Sequence, residues 1–254
     1  MFDVIQIQAF KDNYIWLLRK GTAAVVVDPG DADPVLEVLA RERLSLASIL
    51  ITHHHKDHQG GIPGLLEYAP TAEVFGPAQE SITGRTHPLR GGERIHLAAL
   101  DVDMRVLAVL GHTAGHLAYY GEGRLFCGDT LFAAGCGRVF EGTPEQMYDS
   151  LALLATLPDD TWVYCAHEYT EANLRFALAV EPDNHDLRQR VDEVAPLRSR
   201  GMSTIPSTLA VEKESNPFLR CHEPSIKAAA QRRERDANDP VSVFRVIREW
   251  KNAF

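Results

Sequence analysis

Cysteine is scarce and scattered in this 254-residue chain: Cys127, Cys136, Cys165 and Cys221 form no C-x-x-C pair. That spacing argues against a disulfide-stapled scaffold or a cysteine-rich zinc module, and the simplest reading is a reduced, cytoplasmic protein. Long apolar runs are missing too. None nears the roughly 18 residues of a membrane span, so no membrane is expected as a partner. The opening Met1-Phe2-Asp3-Val4-Ile5-Gln6 has neither a basic stretch nor an apolar one, and no secretory signal is read there. Positive charge is in deficit, with 26 Lys and Arg against 35 Asp and Glu, a formal net charge of −9. A nucleic-acid enzyme usually needs a basic footprint, so no nucleic-acid partner is expected. Local cations can still recognise a small anionic substrate.

What is present falls into two stretches. Residues 4–9, 14–18 and 23–27 read as strands, the last closed by the turn Asp28-Pro29-Gly30. Next come a helix over 34–43 with Asp33 as N-cap, a strand over 48–51 and a short helix over 62–68. Further strands are expected over 73–75, 94–97, 104–110, 117–120 and 125–127. Thr143-Pro144-Glu145-Gln146 carries the signature of a capping box, and a last strand over 161–165 precedes His167. Beyond residue 170 only helical patterns appear: 171–180, 187–198 interrupted by Pro196, and 240–251 capped by Asp239. In the last of these Val241, Phe244 and Ile247 share one face. The chain thus reads as a mixed domain, 1–170, and a helical domain, 171–254. Strands in runs with helices between them suit stacked sheets covered by helices, an α+β class.

The densest chemistry is Thr52-His53-His54-His55-Lys56-Asp57-His58-Gln59-Gly60-Gly61, directly after the apolar run over 47–51. Alternation along a strand would aim His53 and His55 the same way and His54 the other, and the next turn would bring round Asp57 and His58. Imidazole with carboxylate suits zinc, iron or manganese better than calcium or magnesium. Three more apolar strands end on residues of the same kind: His112 with His116, Asp129 after Cys127-Gly128, and His167 before Glu168-Tyr169. A sheet can collect such strand ends into one cleft. His116 reads as a hydrogen-bonding neighbour of the site. Cys136, between Gly135 and Gly137, reads as part of a loop that approaches substrate rather than as a nucleophile.

The motif His53-x-His55-x-Asp57-His58, together with His112, Asp129 and His167, resembles the metallo-β-lactamase superfamily over roughly residues 1–170. Within it the chain is similar to the glyoxalase II (hydroxyacylglutathione hydrolase) branch. The narrower match rests on Gly128-Asp129-Thr130-Leu131-Phe132, Gly135-Cys136-Gly137-Arg138, Ala166-His167-Glu168-Tyr169-Thr170 and Asn216-Pro217-Phe218-Leu219-Arg220.

The resemblance implies a four-layer αββα sandwich with a C-terminal helical domain. It implies two divalent ions, zinc first, with iron or manganese chemically admissible. His53, His55 and His112 would hold one ion, Asp57, His58 and His167 the other, and Asp129 would bridge them. It further implies a glutathione thioester as the small-molecule partner, contacted by Arg138, Tyr169 and Arg220. The expected reaction is hydrolysis of S-D-lactoylglutathione to glutathione and D-lactate by a hydroxide shared between the ions. Asp57 and Asp129 orient that hydroxide, and the protein acts as a monomer. Phe140 stands where many eukaryotic members have a tyrosine, and no lysine closely follows Arg220. Competing readings are a glutathione persulfide dioxygenase with a single iron, an RNA-processing nuclease and a non-catalytic metal- or glutathione-binding module. The acidic charge disfavours the nuclease; seven ligand positions disfavour the silent module.

Overall fold

The β-branched and leucine-rich runs of the first ninety or so residues become a six-stranded sheet in the computed structural model, which describes residues 1–254. Strands β1 (Asp3–Ala9), β2 (Asn13–Lys20) and β3 (Ala23–Val27) pair antiparallel; β4 (Ser45–Leu50), β5 (Glu73–Pro77) and β6 (His87–Leu89) continue from β3 in parallel. Helices α1 (Asp33–Glu42), α2 (Lys56–Gln59) and α3 (Ile62–Tyr68) connect them. Val35, Val38 and Leu39 of α1, with Ile62 and Leu65 of α3, join Ile15, Leu17, Val26 and Ile49 of the sheet in one buried cluster. Burying those side chains is worth about 1.5–3 kcal/mol each. A parallel β3–β4–β5 order requires crossover connections, and α1 and α3 supply them.

The second sheet takes β7 (Arg94–Leu97), β8 (Val102–Ala108), β9 (Leu117–Gly121) and β10 (Arg124–Gly128), all antiparallel to their neighbours. These elements make up one compact unit, Met1–Ala108 with Thr113–Gly128. Val109–His112 and Asp129–Phe254 make up the other. The units interleave along the chain, whereas the composition changes near residue 170. The second unit holds the hairpin β11 (Leu131–Phe132) and β12 (Gly135–Cys136), and the antiparallel pair β13 (Trp162–Cys165) and β14 (Ser207–Thr208). Its helices are α4 (Pro144–Ala155), α5 (Thr170–Val180), α6 (His185–Ser199), α7 (Leu209–Ser215), α8 (Pro224–Gln231) and α9 (Pro240–Asn252). Two sheets flanked by helices, with a helical C-terminal region, give the α+β architecture expected.

Several local expectations change. The capping box at Thr143 and Gln146 is present, as is the Asp239 cap of α9. Asp33 is the first residue of α1 rather than its cap, and Asp31 accepts from its amide instead. Pro196 lies inside α6 without ending it, near the C-terminal end of that helix. Helices α7 and α8 were not legible because each is short, as were the two-residue strands.

A buried polar network fixes the hairpin of the second unit. Glu212 of α7 pairs with Arg190 of α6 and accepts from the Ala134 amide at 2.9 Å. Asn216 donates to the carbonyls of Phe132 and Gly135 at 3.1 and 2.9 Å. The Asn-Pro-Phe segment thus serves as an anchor for the residues leading to Arg138.

Candidate active site

In the first unit, β4 stops at Leu50, and His53–His55 lie in an irregular turn rather than in a strand. Strand alternation therefore does not aim these imidazoles. Tyr119 of β9, fully buried, donates its hydroxyl to the Ile51 carbonyl at 2.7 Å, and the Leu117 amide bonds the Thr52 carbonyl at 2.9 Å. The turn is held from the second sheet.

Asp28 organises the histidine turn. Its carboxylate accepts from the Thr52 amide at 2.8 Å, from the Thr52 hydroxyl at 2.7 Å and from His58 Nδ1 at 3.0 Å, at a backbone φ of 52°. Holding a non-glycine residue in the left-handed region costs energy that the hydrogen bonds offset. The chain of donors then fixes two ring protons. His58 Nδ1 faces a carboxylate and so carries a proton, which turns Nε2 toward Asp57 Oδ2, 3.6 Å away. Thr52 spends its only proton on Asp28, so His53 Nδ1, 3.0 Å from that hydroxyl, must donate to it. His53 Nε2 is left pointing at His55 Nδ1, 3.0 Å away. His116, fully buried, stacks on His53 with ring centroids 4.6 Å apart. Asp57 and His58 sit on the single turn of α2, with the Asp57 backbone tight against Gly30. A Cβ at Gly30 would stand 1.9 Å from the Asp57 carbonyl oxygen.

The second unit repeats the logic. His112 Nδ1 lies 2.9 Å from the Arg138 carbonyl, an acceptor only, so Nδ1 carries a proton and Nε2 is turned toward Asp129 Oδ2 at 3.4 Å. His167 Nε2 is 3.4 Å from the other oxygen, Oδ1. One buried carboxylate thus faces two imidazoles, one per oxygen. Gly137 permits this: a Cβ there would meet the Asp129 carbonyl oxygen at 1.9 Å and His112 Nδ1 at 3.2 Å. Neutral imidazoles with Nδ1–H engaged and Nε2 aimed at carboxylates are the donor set that suits a divalent ion.

Beside Asp129 and His112, a cavity of about 590 Å³ opens within the second unit, lined also by Arg138, Tyr169, Phe132 and Phe140. Tyr169 stacks on His167 at 4.8 Å with an interplanar angle of 4°, and Phe132 packs edge-on against Tyr169 at 5.3 Å. Three further cations line the cavity, Arg175, Arg248 and Lys251, none of them anticipated. Arg248 is buried, donates to the Cys136 carbonyl at 2.8 Å, and has a buried Nε that meets no acceptor in the protein. Burial, and then the positive charges of Arg248, Arg175 and Arg138, lower Lys251 to about 8. Burial pushes the Cys136 thiol up despite Arg248, which disfavours a thiolate nucleophile. A signal for two of these cations was available. Arg248 and Lys251 fall at i+7 and i+10 from Val241, on the stripe that Val241 and Phe244 begin, where a solvated charge is unexpected.

Arg220 does not join them. Its guanidinium grips Glu181 with bonds of 3.1 and 2.9 Å, and it does not line the cavity. Burial alone would raise Glu181; bonds from Arg220, Ser225 and Asn184 outweigh it and hold the carboxyl below its ordinary range. Arg220, expected at the substrate from the resemblance, is engaged by Glu181 here, and a lone arginine in a helical tail does not reveal such an acid partner.

Comparison with known proteins places these features in context. Residues 10–167 match the profile of the metallo-beta-lactamase superfamily, and residues 168–254 that of the hydroxyacylglutathione hydrolase C-terminus. Hydroxyacylglutathione hydrolases of Nitrosomonas eutropha and Methylobacillus flagellatus are 54% and 55% identical, each over the full length of both chains. Among solved structures, ETHE1 from Myxococcus xanthus shares the fold with a TM-score of 0.65 at 24% identity, covering 100% of this chain and 99% of that one.

Proposed function

Since the chain belongs to the hydroxyacylglutathione hydrolase family of the metallo-β-lactamase superfamily, we propose that it hydrolyses S-D-lactoylglutathione and related 2-hydroxyacylglutathiones to glutathione and the free hydroxy acid. This is the second step of methylglyoxal detoxification. The carrying observation is the cavity of the second unit, where the carboxylate Asp129 and the imidazole of His112 border four cationic side chains in an otherwise acidic protein. A tripeptide with two carboxylates fits that balance of charge.

The fold and its histidine and aspartate donors go with divalent metal. The finer assignment is two ions, zinc first, one on His53, His55 and His112 and the other on Asp57, His58 and His167, with Asp129 as bridge. It rests on the motif match and on the ring orientations derived above. When bound, such ions polarise the thioester carbonyl and supply a nucleophile from water at neutral pH.

The remaining work falls to the chain. Asp28, Thr52 and the Arg138 carbonyl keep three imidazoles aimed. Asp129 presents one oxygen to each side, and Asp57 orients the attacking water. Arg138, Arg248 and Lys251 take the carboxylates of glutathione, and Tyr169 packs against its backbone. The thiolate leaves without a strong protein acid. In this reading residues 1–170 carry the chemistry together with Arg138 and Tyr169, and 171–254 complete the substrate site with Arg248 and Lys251, a division that the two matched profiles support. On this reading the protein works as a cytoplasmic monomer.

The test is hydrolysis of S-D-lactoylglutathione by metal-loaded protein, monitored as loss of thioester absorbance. Turnover is expected. Fully loaded protein that leaves this thioester intact would refute the assignment.

A further inference from the structure

Among the metal-facing side chains of the first unit, His53 and His58 are buried, whereas His55 and Asp57 are only partly so. The Asp57 side chain is 41% exposed, against 1% for its neighbour His58. An exposed carboxylate samples several rotamers, and fixing it in one costs entropy. His58 is fixed by Asp28 and His53 by Thr52, so an equivalent hold on Asp57 is needed. Asn13 supplies it. Its amide Nδ2 donates to Asp57 Oδ2 at 3.0 Å, the same oxygen that lies 3.6 Å from His58 Nε2. A carboxylate oxygen has two lone-pair directions, so this bond leaves one for a cation.

The donor is rigidly delivered. Asn13 is 6% exposed, opens β2 and pairs across the β1–β2 turn with Ala9. The turn itself is tight, with Phe10 at a φ of 51°. An amide is also the appropriate donor: lysine or arginine here would repel the cation, and a carboxylate would repel Asp57.

We infer that Asn13 is a positioning residue that presets the Asp57 carboxylate for the cation shared with His58 and His167. The inference rests on the two-ion reading above. Its consequence is selective: losing Asn13 weakens the Asp57 ion and spares the one on His53, His55 and His112.

The experiment is metal content by elemental analysis after dialysis of the loaded protein against graded chelator, for wild type, Asn13→Ala and the near-isosteric Asn13→Asp. Wild type is expected to keep two ions at chelator levels where both variants keep one. The weaker ion should be lost about 10- to 100-fold more readily, the usual cost of removing a ligand's hydrogen-bonding support. kcat falls while KM holds, and the melting temperatures of the metal-free proteins match, which a purely structural role for Asn13 would not produce. Variants that retain both ions like wild type, or shed both together, overturn the inference and leave the two-ion reading intact. A wild type that never binds more than one ion overturns both.

Discussion

The two units hold their polar groups by opposite means. The first concentrates His53, His55, Asp57 and His58 in one turn and fixes them with neighbours such as Asp28, Thr52 and Asn13. The second draws its cavity from positions as far apart as His112 and Lys251, on a loop, a hairpin and two helices. A contiguous turn gathers donors that each have their own brace, so that losing one brace acts chiefly on the donor it holds. A dispersed wall gives contacts that are separate, so that losses add. Changes at the ligands should therefore act on kcat and metal content, and changes along the wall on substrate affinity.

The sharpest challenge to that contrast is Asp129, which lies in the second unit and is proposed as a ligand. Asp129→Ala removes the one carboxylate that faces both His112 and His167. Turnover should fall by more than the roughly 100-fold that loss of supporting bonds produces, with loss of metal measured on the same sample. A variant that keeps normal kcat and metal would break the comparison.

A smaller effect is expected from pH. Lys251 is held at about 8, so its ammonium is present below that value and lost above it. Affinity for a non-hydrolysable S-alkylglutathione should fall as pH rises through about 8, by about tenfold for the loss of one ion pair of about 1.4 kcal/mol. In Lys251→Ala the affinity should be low throughout and this pH dependence flattened. A wild-type affinity that is level between pH 7 and 9 would remove Lys251 from the wall.

The same contrast governs what could be read without coordinates. The first unit's histidine and aspartate donors lie within one motif, so spacing alone groups them. Asn13 does not reveal itself, because its partner lies 44 residues away and nothing about an asparagine at a turn marks it as other than a turn residue. In the second unit, Asp129 and His167 could be named because each comes directly after a strand. Arg248 and Lys251 were hidden inside an amphipathic helix whose apolar face drew the attention. The paired sheets were legible from runs of valine, isoleucine and leucine; α7 and α8 were not, since each is under nine residues and held largely by tertiary contacts.

Arg138 and Arg220 give the finest division, between an arginine that lines the cavity and one that pairs with Glu181. Arg138→Ala removes a cavity cation but keeps the backbone carbonyl that orients His112, so metal content should be normal and KM should rise, by roughly tenfold for a charge-assisted contact. Arg220→Ala leaves the cavity intact and strips Glu181 of its bidentate partner. Ser225 and Asn184 still reach that carboxylate, so the cost should be about 2 kcal/mol of stability with KM unchanged. Steady-state kinetics and denaturant melts on the two variants read both effects. If KM moves in Arg220→Ala as it does in Arg138→Ala, then the tail arginine reaches the substrate after all, and the wall of the cavity extends further than the present geometry draws it.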